Sequence, residues 1–204
     1  MSPGSTFERV HRELKRRLAS GSLAPGSPLE PAILGPELAA SITPVRDALH
    51  RLVGERLVEA PQHNGFHVPQ LTEAGLRDLY GWNGQLLALA ARHVGADPAD
   101  DPMPRDDVPA ATARLFRHIA RQSGSGEHLR AIEQLNDRLA ACRLVEIGIL
   151  PSIEAEIEGL ASCCMAGHGR ELASALTRYH RRRITAVPQI LELLCRPRRA
   201  RNRE

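Results

Sequence analysis

Residues 41–53, SITPVRDALHRLV, constrain the fold of this chain more than any other stretch. On a helix, Val45, Ala48, Leu49, Leu52 and Val53 recur at i, i+3, i+4, i+7 and i+8 and form one apolar stripe. Thr43, Arg46, Asp47 and His50 then share the opposite face, a short polar ridge of the kind that can read a groove of DNA. The spacing predicts a start at Thr43, whose hydroxyl can cap, with Pro44 at the first helical position, where no amide hydrogen is needed. Residues 57–68 read as strand, turn, strand: Leu57 and Val58, then Pro61, Gln62, His63, Asn64 and Gly65, then Phe66 to Val68. Asn-Gly is a strong hairpin signal. A helix followed at once by a small hairpin is the order of a winged helix-turn-helix, although a capped amphipathic helix before a hairpin also serves small domains that bind no DNA.

Two separated motifs decide between those readings. Gly21-Ser-Leu23-Ala-Pro25-Gly26-Ser-Pro-Leu29 is followed at the right distance by Ser41-Ile42-Thr43-Pro44-Val45-Arg46-Asp47-Ala48-Leu49, then Leu52, Glu55, Leu57 and Val58. Residues 7–69 thereby resemble the N-terminal domain of the GntR family of bacterial transcription regulators, whose pattern runs from "G-x-L-x-P-G-x-x-L" to "S-R-T-P-V-R-E-A-L-x-x-L-x-x-E-G-L-V" and a glycine-bearing wing. The resemblance implies DNA contacts from Ser41, Thr43, Arg46, His50 and Arg51, and from Asn64, Gly65 and His67 in the wing, with His63 beside them. Two departures stand out. Ile42 occupies the place of the motif's first arginine, and Pro36 falls in the helix expected over residues 32–39, which must begin late or kink there. Base reading then rests on Arg46, Thr43 and His50.

At 204 residues the chain has room for one large domain or two small ones. Hydrophobic residues make up 42% and aromatics only 3%, so Leu, Ala, Ile and Val must build the cores. The net charge of +3 suits a nucleic-acid partner without demonstrating one. Cys142, Cys163, Cys164 and Cys195 lie in apolar helical surroundings without a C-x-x-C pair, as expected of reduced, buried or half-buried thiols in a cytoplasmic protein. No leader opens the chain and no run of about 18 apolar residues occurs, so a soluble, intracellular protein is expected.

Ser5 and Glu8 have capping-box spacing, and Phe7, Val10, Leu14 and Leu18 stripe a first helix that Gly21 ends. Arg9, His11, Arg12, Lys15, Arg16 and Arg17 decorate its other sides, either as a solvated face or as phosphate contacts. Residues 69–72 read as a linker, placing the domains at 1–70 and 71–204, and Thr72 as the cap of a helix reaching about Val94. An Asp/Pro-rich loop covers 95–108. Helices follow at about 108–122, 127–148, 151–166, 168–182 and 185–195, the last two parted at Pro188 by a break or only a kink, and then a basic tail. The fold class is mostly α: an N-terminal winged helix-turn-helix and a C-terminal antiparallel helical bundle.

Leu71-Thr72-Glu73, Leu76-Arg77-Asp78-Leu79-Tyr80 and Phe116-Arg117-His118 through Gly124 resemble the FadR-like branch, whose effector domain is called FCD. Many members of that branch hold a divalent metal on an Asp and three His, and through it a small carboxylate. Carried over position by position, those ligands become Ala113, Arg117, Ile157 and His180. A single imidazole does not make such a site, so no metal and no cofactor are expected. His118 would substitute only if its helix turned by a full residue. The expected effector contacts are Arg117, Tyr179 and His180, binding an acidic small molecule directly; the alternative is an Arg117 that faces solvent or pairs with a carboxylate such as Glu156. The effector domain also looks shortened by about one helix. A homodimer on a palindromic operator follows from the resemblance and from the few bases that one short helix reads. The faces of residues 86–91 or 184–194 are candidates for the dimer contact. Gly-rich phosphate loops, nucleophile motifs and clustered carboxylates are missing from the sequence, which reads as a non-enzyme. The expected function is transcription regulation, as a repressor. A winged-helix assembly module that has lost sequence-specific DNA binding is the alternative.

Overall fold

The computed structural model describes residues 3–62, 64–96 and 107–195. His63, the centre of the Asp/Pro-rich loop and the tail from residue 196 lie outside the described residues. The described residues form eight helices, and the chain divides into two compact units. One holds the chain up to Leu71 together with residues from Gln189 onward; the other is Thr72–Pro188.

In the first unit α1 (Pro3–Ala19), α2 (Pro31–Glu37) and α3 (Ile42–Gly54) surround one core. Val10 and Leu14 of α1 and Leu34 of α2 close over Val45, Ala48, Leu49 and Leu52 of α3, with Leu29, Leu57, Val58 and Val68 from the segments between. The apolar stripe expected on α3 is therefore the face that the fold buries. Helix α1 begins at Pro3, ahead of the capping pattern at Ser5. Helix α2 does not start late. It begins at Pro31, where a missing amide hydrogen costs nothing, and carries Pro36 in its last turn. Helix α3 begins two residues before the expected start, with Ser41 as its N-cap and no side-chain capping bond. Pro44 still lies within the first turn, whose amides have no intrahelical acceptor, so it does not set the start.

Both ends of the α2–α3 pair are closed by Schellman turns. After α2, Ala40 N donates to Gly35 O at 3.0 Å and Ala39 N to Pro36 O at 3.2 Å, with Ala39 at φ +46°. After α3, Leu57 N donates to Leu52 O at 2.9 Å and Arg56 N to Val53 O at 3.0 Å, with Arg56 at φ +59°. Glycine usually fills that position because a Cβ strains the left-handed backbone. Arg9 holds the first turn from outside, donating to Leu38 O at 2.7 Å and Ala39 O at 3.1 Å.

The wing is present in reduced form. Glu59 and His67 exchange both backbone hydrogen bonds, at 2.9 and 2.8 Å. On its other edge the same strand meets residues 26–29, with Leu29 N to Phe66 O at 2.7 Å and Val68 N to Ser27 O at 3.0 Å. His67 thus sits in the middle of a three-segment ladder, each bridge one residue long. Asn64-Gly65 does not close a two-residue turn. Asn64 N bonds to Pro61 O at 3.1 Å, and Gly65, at φ +69°, supplies the left-handed residue of a wider loop.

The second unit is built from α4 (Glu73–Ala91), α5 (Val108–Gln122), α6 (Gly126–Glu146), α7 (Ile153–Met165) and α8 (Gly169–Cys195), the last of which runs on past Pro188. Thr72, Asp107 and Ser125 cap the first three through their side-chain oxygens. Of the two readings at Pro188, a break does not hold: residues 169–195 form one helix. Pro188 gives up the bond to the Ile184 carbonyl, and Arg77 of α4 supplies the missing donor, Nη1 to Ile184 O at 2.8 Å. No helix among the described residues is long and apolar enough to cross a membrane.

If the left-handed alanine in the α2–α3 turn carries strain, Ala39→Gly raises the unfolding free energy. The expected gain is about 0.5–1 kcal/mol, the relieved strain less the added chain entropy of glycine. Chemical denaturation of the two proteins side by side measures it, and an unchanged or lower stability contradicts the strain.

Candidate nucleic-acid interface

With one face of α3 sealed into the core, its other face has nowhere to go but outward. Ser41, Ile42, Thr43, Arg46, Asp47 and His50 are all exposed. Arg46 makes no hydrogen bond or ion pair with any described residue. The first turn of α3 carries no acidic side chain, so the positive end of its dipole is uncompensated. The His50 ring meets Phe66 edge-on at 4.9 Å, which braces the ridge against the wing. Asn64 and Gly65 lie exposed in the wing loop.

Two residues expected at the interface are placed otherwise. Arg51 is drawn back toward α1, with Nη1 3.0 Å from Glu8, Nε 3.3 Å from Glu55 and its guanidinium over the Phe7 ring at 5.7 Å. His67 is half-buried, its backbone is bonded on both sides and its Nδ1 is enclosed. It anchors the wing strand and does not stand at the tip.

Most of the basic cluster on α1 is also engaged inside the unit. Glu55 gathers His11 at 2.9 Å and Lys15 at 3.3 Å as well as Arg51. Burial raises the Glu55 pKa, but the charges and hydrogen bonds of Lys15 and His11 more than offset this and leave it below the ordinary value. Arg17 reaches Glu13 at 3.2 Å and Glu37 on α2 at 2.6 Å. Hydrogen bonding to Arg16 leads the effects that lower the Glu13 pKa to about 2, against a smaller opposing effect of burial. Sequence spacing alone does not pick out Glu55 as the hub, because its partners lie about forty residues away in α1.

The interior of the second unit carries a buried polar network. Arg183, fully buried, donates from Nε to Glu146 at 2.9 Å and from Nη1 to Glu156 at 2.6 Å. Its guanidinium lies 3.4 Å from the centre of the Tyr179 ring. The Tyr80 hydroxyl donates to the other oxygen of Glu146 at 2.5 Å. Burial, with Glu146 nearby, pushes the Tyr179 phenol up to about 12. Arg143 donates to Asn136 at 2.9 Å and lies over Phe116 at 5.2 Å. Burial comes first among the causes that push the His180 pKa down to about 3, and the charges of Arg183 and Arg143 act in the same direction. A neutral His180 has one ring hydrogen, and Nδ1, 2.7 Å from Leu176 O, must carry it. Nε2, 2.8 Å from Asn83 Oδ1, is then an acceptor, and the bond forms with the Asn83 amide turned over so that its NH2 donates.

Of the three residues expected to hold an effector, Tyr179 and His180 meet at 4.9 Å around the Phe116 ring. Arg117 is half-exposed and pairs with Glu133 of α6 at 3.0 Å. Glu156, the carboxylate expected for it, is taken by Arg183 and by Arg182 at 3.4 Å. Arg143 and Arg183 are the interior cations that sequence reasoning missed, since neither falls on a motif position. Ile157 is core, and His118 is buried with its Nε2 3.4 Å from Gln122. Among the described residues no three His, Cys, Asp or Glu side chains come together as metal ligands. Cys142 and Cys164 are buried and Cys163 is half-buried, but Cys195, expected among the buried or half-buried thiols, is exposed.

A core-sealed second helix with a polar outer face, followed by a small wing, defines a helix-turn-helix domain, here joined to a mostly helical second half. Residues 6–68 match the family model for bacterial regulatory proteins of the gntR family. The chain is 33% identical to the HTH-type transcriptional regulator McbR of Escherichia coli (strain K12) over 94 residues, 45% of this chain and 42% of that one. It is 30% identical to the HTH-type transcriptional repressor GlaR of the same strain over 79 residues, 39% and 36% of the two chains. The matched segments span less than half the length of these relatives. Among solved structures, E. coli McbR/YncC superimposes with a TM-score of 0.67 at 23% identity, covering 90% of this chain and 97% of that one. A GntR regulator from Rhodococcus sp. RHA1 superimposes with a TM-score of 0.71 at 18% identity, covering 92% and 98%. At these identities the likeness is one of fold.

The depressed His180 pKa has a consequence for stability. The unfolded chain takes up the proton near 6.5 and the folded one only near 3, so the contribution is complete above 6.5 and is lost as pH falls toward 3. The expected slope is up to about 1.4 kcal/mol per pH unit in that window. It is read as the difference between wild type and His180→Gln in urea denaturation at pH 7.5, 6 and 5. Parallel pH profiles for the two proteins contradict a buried neutral His180.

Proposed function

We propose that this chain is a cytoplasmic transcription regulator of the GntR family and of its FadR-like branch. It binds a palindromic operator as a homodimer and acts as a repressor. The observation that carries this reading is the Arg46 guanidinium, outward on α3 with no partner among the described residues. Arginine grips guanine through two parallel hydrogen bonds in the major groove, worth about 1–3 kcal/mol of discrimination. Ser41, Thr43 and His50 flank it on the same surface, and Asn64 and Gly65 of the wing are free to follow the backbone. Arg51 and His67 act in this scheme from behind, by fixing α3 and the wing strand. The dimer contact is assigned to the outer face of α4, where Trp82, Leu86 and Leu89 line a shallow hollow with Ala88 and Arg92. Trp82 is 52% exposed and Leu89 48%, a large apolar area to leave in water.

A gel shift against the DNA upstream of the gene, repeated at rising salt, tests the reading. Specific binding that falls steeply with salt is expected. Arg46→Ala is expected to cost roughly 1–3 kcal/mol per half-site, with the fold unchanged by circular dichroism. Equal affinity for that DNA and an unrelated duplex supports an assembly module in place of a regulator.

The effector is proposed to be a small carboxylate, bound without a metal. The support is that the enclosed N–H groups left without acceptors in the second unit include Arg143 Nη1 and Arg183 Nη2, both cationic, beside Tyr179 and His180. Arg117, its charge met by Glu133, contributes from the rim. Isothermal titration of small carboxylic acids is expected to show binding by wild type that weakens strongly in Arg143→Met and mildly in Arg117→Ala. A panel that binds neither wild type nor variant removes the effector from the scheme.

A further inference from the structure

The first residue of α3 is a large apolar side chain standing in water. Ile42 is 49% exposed and does not belong to the core cluster of its unit. It lies beside the exposed Thr43 and one turn ahead of Arg46, on the surface that the proposed function turns toward DNA. In helix-turn-helix domains the N-terminal residues of the second helix contact base edges. An isoleucine there has no hydrogen bond to offer, so it does not read guanine, cytosine or adenine and does not hold a phosphate. The apolar feature in the major groove is the 5-methyl group of thymine. Four residues of helix advance about 6 Å, or roughly two base steps, which separates the base met by Ile42 from that met by Arg46.

We propose that Ile42 is a specificity residue that reads a thymine through its 5-methyl group, one or two base pairs from the pair gripped by Arg46. The inference rests on the DNA-reading function proposed above and names the base that the departure from arginine selects. Where the motif's arginine would favour a G·C pair, Ile42 favours T·A, so operators for this chain carry thymine at that position in each half-site. The contact is dry and uncharged. It contributes to sequence preference without adding to the salt dependence, which stays with the phosphate contacts.

The test uses the full chain. Duplexes selected from a random pool define the preferred site, and each thymine in it is then replaced singly by deoxyuridine, which removes only the methyl. At one position per half-site, deoxyuridine is expected to weaken wild-type binding about fourfold, the worth of one buried methyl group. Ile42→Ala is expected to bind the thymine and deoxyuridine duplexes alike, and Ile42→Arg to shift the selected base at that position to guanine. A 5-methylcytosine there binds better than cytosine if the methyl itself is the feature read. Wild-type binding that is indifferent to deoxyuridine everywhere overturns the role of Ile42 and leaves DNA reading intact, as does an Ile42→Ala protein with undiminished methyl sensitivity. Failure of the pool to yield any preferred sequence overturns both.

Discussion

The orientation of α3 depends on one apolar seam. Val45, Ala48, Leu49 and Leu52 are wholly excluded from water against Val10 and Leu14 of α1. Burying each leucine contributes about 1.5–3 kcal/mol, far more than any single contact on the exposed ridge. Rotating α3 by even one residue would expose part of that stripe, so the polar face is fixed by what lies behind it. The ion pairs of Glu55 with His11, Lys15 and Arg51 then lock the C-terminal end of α3 to α1. Partly exposed pairs contribute little singly, but a carboxylate shared by Lys15, Arg51 and the His11 imidazole resists sliding along the seam.

The second unit solves a different problem. Burying Arg183 without partners would cost several kcal/mol, and the network around it is the compensation. Glu146 takes Arg183 on one oxygen and Tyr80 on the other, joining α8, α6 and α4 in a single carboxylate. Glu156 adds α7. His180 has both nitrogens committed, to Leu176 and Asn83. Arginine–carboxylate pairing thus ties the helices of this bundle together from within.

Much of this was legible in the sequence. Periodicity gave the stripe and ridge of α3, and the limits of α5, because a helix that packs against a core has little freedom in which face it buries. The errors have local causes. Pro188 reads as a break or only a kink, and the tertiary bond from Arg77 to the orphaned Ile184 carbonyl shows why α8 runs through it. Asn64-Gly65 signals the hairpin, but its register is set by pairing of the 66–68 segment with both Glu59 and residues 26–29, which no local pattern shows. For Arg117 the motif position leaves open an effector contact or a carboxylate pair, and the geometry of α5 gives the pair, with Glu133 in place of Glu156. Arg143 and Arg183 could not be told from the many other arginines of the chain, since burial of a charge depends on partners distant in sequence.

Trp82 is the only tryptophan of the chain and stands half in water on α4. A lone indole in that position fluoresces with the red-shifted emission of a hydrated ring, and its quantum yield responds to whatever lies over it. The protein therefore carries a built-in optical probe of one helix face, free of interference from any second indole. Occlusion of that face by another macromolecule registers as a blue shift without any label being attached.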